Sequence, residues 1–157
     1  MKSTDLRGDD VIDSRDVIER IKELQEERQD LQDALGEATA EYTEATDDDA
    51  IEEAQEAKEE AQEALNDWDT TDEAEELKDL LSLAEEGERS PDWSYGETLI
   101  KDEHFEEYAQ ELAEDIGAVN KDQWWPNNCI DWKEAAEQLQ QDYFSVTFGS
   151  DTYWIRS

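Results

Sequence analysis

Basic residues are scarce in this chain: 13 Lys and Arg stand against 48 Asp and Glu in 157 residues, a formal net charge of -35. The imbalance makes the folded state repel itself and repels DNA, RNA and anionic membrane surfaces. The partners left are basic: a DNA-binding groove, a basic peptide or cations. Histidine is nearly absent too. His104 lies among Asp102, Glu103, Glu106 and Glu107 and reads as an exposed helix residue, so nothing provides the base that a Ser or Cys nucleophile needs. The lone cysteine, Cys129, cannot form an intrachain disulfide and reads as a small buried apolar group in an aromatic-rich loop. No glycine-rich loop could cradle a phosphate. Asp47-Asp48-Asp49-Ala50-Ile51-Glu52 fails as a calcium loop, because its fifth position is Ile and its sixth is not Gly. Met1-Lys2-Ser3-Thr4-Asp5 leads into no apolar run, so a secretory signal and a membrane span are not expected. These absences predict a cytoplasmic protein that is not an enzyme and carries neither metal nor cofactor.

What the chain does have is carboxylate and aromatic side chains. Duplex DNA carries one charge per roughly 1.7 Å of axis, so 35 charges match roughly 60 Å, on the order of 18 base pairs. High net charge with low hydrophobicity also marks disordered chains. Six Trp, five Tyr and three Phe, mostly from Trp93 onward, argue for a packed second half.

The pattern predicts a mainly α protein: an N-terminal antiparallel helical hairpin plus a third helix, then a small α+β domain ending in a β-hairpin. Residues 1–13 read as loose. Asp13 or Ser14 caps a helix whose seam runs Val17, Ile21, Leu24, Arg28, Leu31, Leu35, Ala38, Tyr42, Ala45, the alternating four-three spacing of a coiled-coil face. Arg28 interrupts it. After a turn at Thr46–Asp49, with Thr46 as the cap, Ala50, Ala54, Ala57, Ala61, Ala64 and Trp68 repeat the spacing with small residues and can pack closely on the first helix. A third helix starts near Thr71, buries Ala74, Leu77, Leu80, Leu81 and Ala84, and stops at Gly87. The turn residues and aromatics of Arg89–Gly96 place a boundary there, dividing an acidic helical region, 14–90, from a domain at 91–157. In that domain Glu97–Ile100 is extended, and Asp102–Ile116 is an amphipathic helix burying Phe105, Tyr108, Ala109, Leu112, Ala113 and Ile116. Asp131 caps a further helix, with Glu134 three residues on. Phe144–Phe148 and Thr152–Ile155 make the hairpin.

The first helix can imitate a phosphate backbone. Its acids are Glu19, Glu23, Glu26, Glu27, Asp30, Asp33, Glu37, Glu41 and Glu44. They span roughly 38 Å at 1.5 Å per residue, one per about 4.7 Å against roughly 3.4 Å for one DNA strand. A solvated helix face normally interleaves Lys and Arg with its acids; positions 29–57 contain neither. Trp124 and Trp125 are a candidate aromatic contact for a partner, although large aromatics in small domains are more often core.

The segment HFEEYAQELAEDIGAVNKDQWWPNNCIDWKEAAEQLQQDYFSVTFGSDTYWIRS resembles the C-terminal domain of ArdA-type antirestriction proteins of phages and mobile elements, over roughly residues 97–157. The likeness rests on Glu-Asp-Ile-Gly-Ala closing an aromatic-acidic helix, Cys-Ile-Asp-Trp before a helix with two alanines, Asp142-Tyr143, Val146, Phe148 and Tyr153. It implies an acidic DNA mimic, often a homodimer, that binds type I restriction-modification enzymes where DNA would lie. Glu106, Glu107, Glu111, Glu114, Asp115, Asp131 and Asp142 become candidate phosphate stand-ins. The helical 14–86 region departs from that family, whose members carry small mixed α/β domains before this one. The predicted function is therefore inhibition of a host defence nuclease by occupying its basic DNA-binding groove. The alternatives are a DNA mimic aimed at another defence complex, such as a CRISPR effector, and an acidic coiled-coil adaptor or histone-chaperone-like scaffold.

Overall fold

The computed structural model describes residues 5–157. The chain is mainly helical with a small antiparallel sheet and a C-terminal hairpin. In order, its elements are β1 (Val11–Asp13), α1 (Ser14–Glu44), α2 (Asp48–Trp68), α3 (Asp72–Gly87), the single turn α4 (Trp93–Gly96), β2 (Thr98–Lys101), α5 (Asp102–Asp115), α6 (Trp132–Leu139), β3 (Tyr143–Phe148) and β4 (Asp151–Arg156).

By internal contacts the chain forms two compact units, residues 19–79 and residues 1–18 with 80–157. The divisions fall inside α1 and α3, whereas the change in composition lies at Arg89–Gly96. The helical unit is thus inserted in sequence between β1 and β2.

The sheet unit shows why the N-terminal segment is not loose throughout. Residues 1–4 of that expectation lie outside the described residues, but Val11–Asp13 pairs antiparallel with β2, Val11 opposite Ile100 and Ile12 opposite Leu99. The Tyr153 hydroxyl donates to the Asp9 carbonyl at 2.6 Å, tying in the residues just before the strand. The sheet order is β1-β2-β4-β3, with Leu99 opposite Ile155 and Val146 opposite Tyr153. Both faces are apolar. One carries Ile12, Leu99, Ile155, Tyr153, Val146 and Phe148, all buried. Against the other, Ile100 packs with Phe105 and Ala109 of α5 and Ala136 of α6, flanked by Tyr108, Leu139, Tyr143 and Trp154. The Phe105 ring meets Tyr143 edge-on, centroids 5.2 Å apart, a geometry that the ring quadrupoles favour. Burial pushes the Tyr153 phenol up to about 12 and holds that of Tyr143 above its ordinary value, where the hydrogen bond with Tyr108 adds to the shift.

Ser14 and Asp13 divide the roles expected of either one. The Asp13 carboxylate accepts from the Arg15 amide at 2.8 Å, the capping contact. Ser14 is fully buried; its hydroxyl donates to the Trp93 carbonyl at 2.7 Å and accepts from the Glu97 amide at 2.6 Å. A Cβ at Gly87 would run into the Trp93 ring, so the residue that ends α3 also makes room for that indole.

The helical unit follows the seam with corrections. Leu24 and Ala38 of α1 and Ala54 and Trp68 of α2 are buried, and Leu65, not Ala64, fills the next position. Asp47, not Thr46, caps α2, its side chain accepting from the Asp49 amide. On α3, Leu77, Leu80 and Leu83 are buried while Leu81 is 43% exposed, because the buried row continues in steps of three. Arg28 does not weaken the seam: its guanidinium grips the Asp69 carboxylate just past α2 at 2.8 and 3.2 Å. About two turns earlier on the seam side, Arg20 donates to both oxygens of Glu76 on α3 at 2.6 and 2.9 Å. Glu76 is 2% exposed, so this bidentate pair replaces water for a buried carboxylate. In the sheet unit, Ile116 is 70% exposed, since α5 ends at Asp115 and the chain turns away.

Candidate acidic interface

The acids of α1 become a surface because the helix is continuous from Ser14 to Glu44. At 3.6 residues per turn, Glu19, Glu23, Glu26, Asp30, Asp33, Glu37, Glu41 and Glu44 fall within about 40° of a single line along the helix. That line lies roughly 140° from the buried seam. Glu27 sits about 80° to one side. All nine are exposed except Glu23, which is half-buried and lies 3.3 Å from Arg20. The carboxylates therefore form one row, recurring about once per 5.4 Å turn. The four-three-four spacing from 19 to 44 encodes this row, and the sequence reading used it only as a density.

A second acidic face was missed. On α2, Asp48, Asp49, Glu52, Glu53, Glu56, Glu59, Glu60, Glu63 and Asp67 are all exposed, most of them on the side opposite the alanine row, with Glu53 at its edge beside Ala50 and Ala54. The signal was available, since Lys58 is the only base of that helix. Lys58 sits over the Tyr42 ring at 5.0 Å. Residues 19–79 hold 25 acids and five bases, a net charge of -20, and three of those five bases have the structural roles just described. The ion pairs leave electrostatic traces: the hydrogen bond from Arg28 holds the Asp69 carboxyl below its ordinary range, and Glu76 raises the Arg20 guanidinium.

The acids of the C-terminal region do not form such a row. Glu106, Glu107, Glu111, Glu114 and Asp115 spread over about 180° of α5, and Glu114 is half-buried. Glu107 lies 3.2 Å from His104 Nδ1, an ion pair only when the imidazole is protonated. His104 itself is only 17% exposed at its side chain, because it flanks Phe105 on the covered side of the helix, which corrects its reading as an exposed residue. Asp131 caps α6, accepting from the Glu134 amide at 3.2 Å. Asp142 is exposed between α6 and β3. The loop before α6 overturns two expectations. Cys129 is exposed, and Trp124 and Trp125 are 77% and 68% exposed rather than core, because the sheet and α5 already fill the aromatic cluster without them. Among the described residues, no three His, Cys, Asp or Glu side chains are placed to hold a metal ion, and no helix is long and apolar enough to cross a membrane.

No described protein family, curated protein or solved structure matches the chain.

Proposed function

We propose that this protein is a non-enzymatic DNA mimic that occupies the basic DNA-binding groove of a host defence nuclease, with type I restriction-modification enzymes as the target class that the ArdA-like C-terminal residues suggest. The observation that carries the reading is the row of carboxylates on α1, all exposed but the half-buried Glu23, with no Lys or Arg between position 29 and the end of the helix at Glu44. At one carboxylate per turn the row is sparser than the roughly 3.4 Å repeat of one DNA strand, and the α2 face adds charge within the same unit. A rigid helix presents that charge in a fixed geometry, which a solvated polyanionic tail does not. Arg20, Arg28 and Lys58 support the reading from the other side: three of the five bases of this unit brace helices and a ring. The adaptor alternative needs an open seam, and Leu24, Ala38, Ala54 and Trp68 are buried within the chain.

The test is competition with a DNA duplex for a purified type I restriction enzyme, at low and high salt. Binding should displace DNA and weaken as salt rises, since charge pairing is screened. Changing Glu26→Gln, Asp30→Asn, Asp33→Asn and Glu37→Gln together should lower the association rate about tenfold or more, with helix content unchanged by circular dichroism. Affinity indifferent both to salt and to the fourfold change would sink the proposal.

A further inference from the structure

We propose that the Trp124–Trp125 loop is an anchor for an arginine-bearing segment of the partner protein. This rests on the reading above that the partner is basic. The loop is built rather than slack. The Asn120 side chain accepts from the Asp122 amide at 3.0 Å, and the Asn120 carbonyl accepts from the Gln123 amide at 3.0 Å and from Asn127 Nδ2 at 2.6 Å. The Trp124 carbonyl accepts from the Asn128 amide at 2.9 Å. This bracing presents two indoles outward, at 77% and 68% exposure, although an exposed indole gains nothing for the fold.

Beside them, an open depression runs from the end of α5 to Gln123, the residue before Trp124. Glu114, Asp115 and Asp122 line it, with Lys121 as the one base among the lining residues. Indole faces attract cations, guanidinium above ammonium, and a guanidinium can also take a neighbouring carboxylate through two parallel hydrogen bonds. Exposed indoles on a loop that also carries carboxylates within a few residues in sequence are thus the complement of arginine. A second copy of this chain carries the same charge of -35 and is repelled, as are nucleic acid and anionic lipid. The anchor would add a localised contact to the distributed field of α1.

The experiment titrates the full-length protein with an eight-residue arginine peptide and with its lysine counterpart at low salt, following the indole N–H signals by nuclear magnetic resonance. Trp124→Phe and Trp125→Phe assign the two loop signals among the six tryptophans. Those two should shift first, and Trp124→Ala with Trp125→Ala should weaken the arginine peptide about three- to tenfold and the lysine peptide less. If the arginine peptide binds, its affinity unchanged by the double alanine variant but lowered by the fourfold α1 acid variant, the anchor is wrong and charge mimicry stands. If neither peptide binds, both readings fail. Sedimentation showing a wild-type dimer that the double variant dissolves would assign the loop to a second copy and overturn the proposal.

Discussion

The two units of this protein hold a polyanion together by different means. The sheet unit, 1–18 with 80–157, closes around large rings: Phe105, Phe148 and Tyr153 are fully buried, and strands supply the register. The helical unit, 19–79, carries a charge of -20 on helices with an alanine row on α2 and with Leu24, Ala38, Ala54, Leu65, Trp68 and Leu77 buried. There, arginines at the seam take over part of what apolar volume does in the sheet unit. Stability in one unit should therefore follow packed volume, and in the other the integrity of a few ion pairs.

The sharpest test of that contrast is Phe105→Ala. It empties the centre of the cluster under the sheet and should cost about 3–5 kcal/mol in denaturant unfolding, with amide protection lost across 98–156. A loss below about 1 kcal/mol would mean that the rings do not carry the sheet unit. Next in size is Glu76→Ala, which removes the bidentate partner of Arg20, leaves it the half-buried Glu23 at 3.3 Å, and should cost about 2–4 kcal/mol. Replacing both partners, as Arg20→Met with Glu76→Leu, should cost less than Glu76→Ala alone, because no buried charge is left unmatched. A double variant worse than the single one would break the view that the pair substitutes for apolar packing.

The smallest effect concerns Asp69. Its carboxyl is held below the ordinary value of 3.8 by the hydrogen bond from Arg28, so the folded state releases that proton more readily than the unfolded chain does. The contribution is present above the unfolded value and is lost as pH falls through the lowered folded one. Asp69→Asn should therefore melt below wild type at neutral pH, and the gap should close on acidification below 3.8. A gap independent of pH would mean that the Arg28 contact is not ionic.

Most elements could be read from local pattern. The α1 seam, the Asp131 cap and the closing hairpin each rest on residues a few positions apart; the cap and the hairpin are found where the pattern puts them, and the seam is buried at Leu24 and Ala38 but leaves Tyr42 37% exposed. What escaped reading depends on distant partners. The three residues of β1 carry too little alternation to declare a strand, and they become one because β2, some 85 residues on, offers an edge. Arg28 in a seam looks like a flaw until Asp69 lies beside it. Trp124 and Trp125 look like core because composition cannot tell whether other rings have already filled the cluster. Of the candidate interface, the α1 acids are legible as a run, but the single row they form depends on helical geometry, and the α2 acids share their helix with an alanine row that carries the stronger periodic pattern.

The nesting of the helical unit between β1 and β2 bears on inheritance. Insertions or deletions that add or remove a seven-residue repeat in α1 and a matching one in α2 leave every strand residue and every strand pairing in place. The acidic unit can thus change length in register while the sheet that it interrupts in sequence keeps its pairings. A lineage facing targets of different size would vary most between positions 19 and 79 and least in the strands on either side.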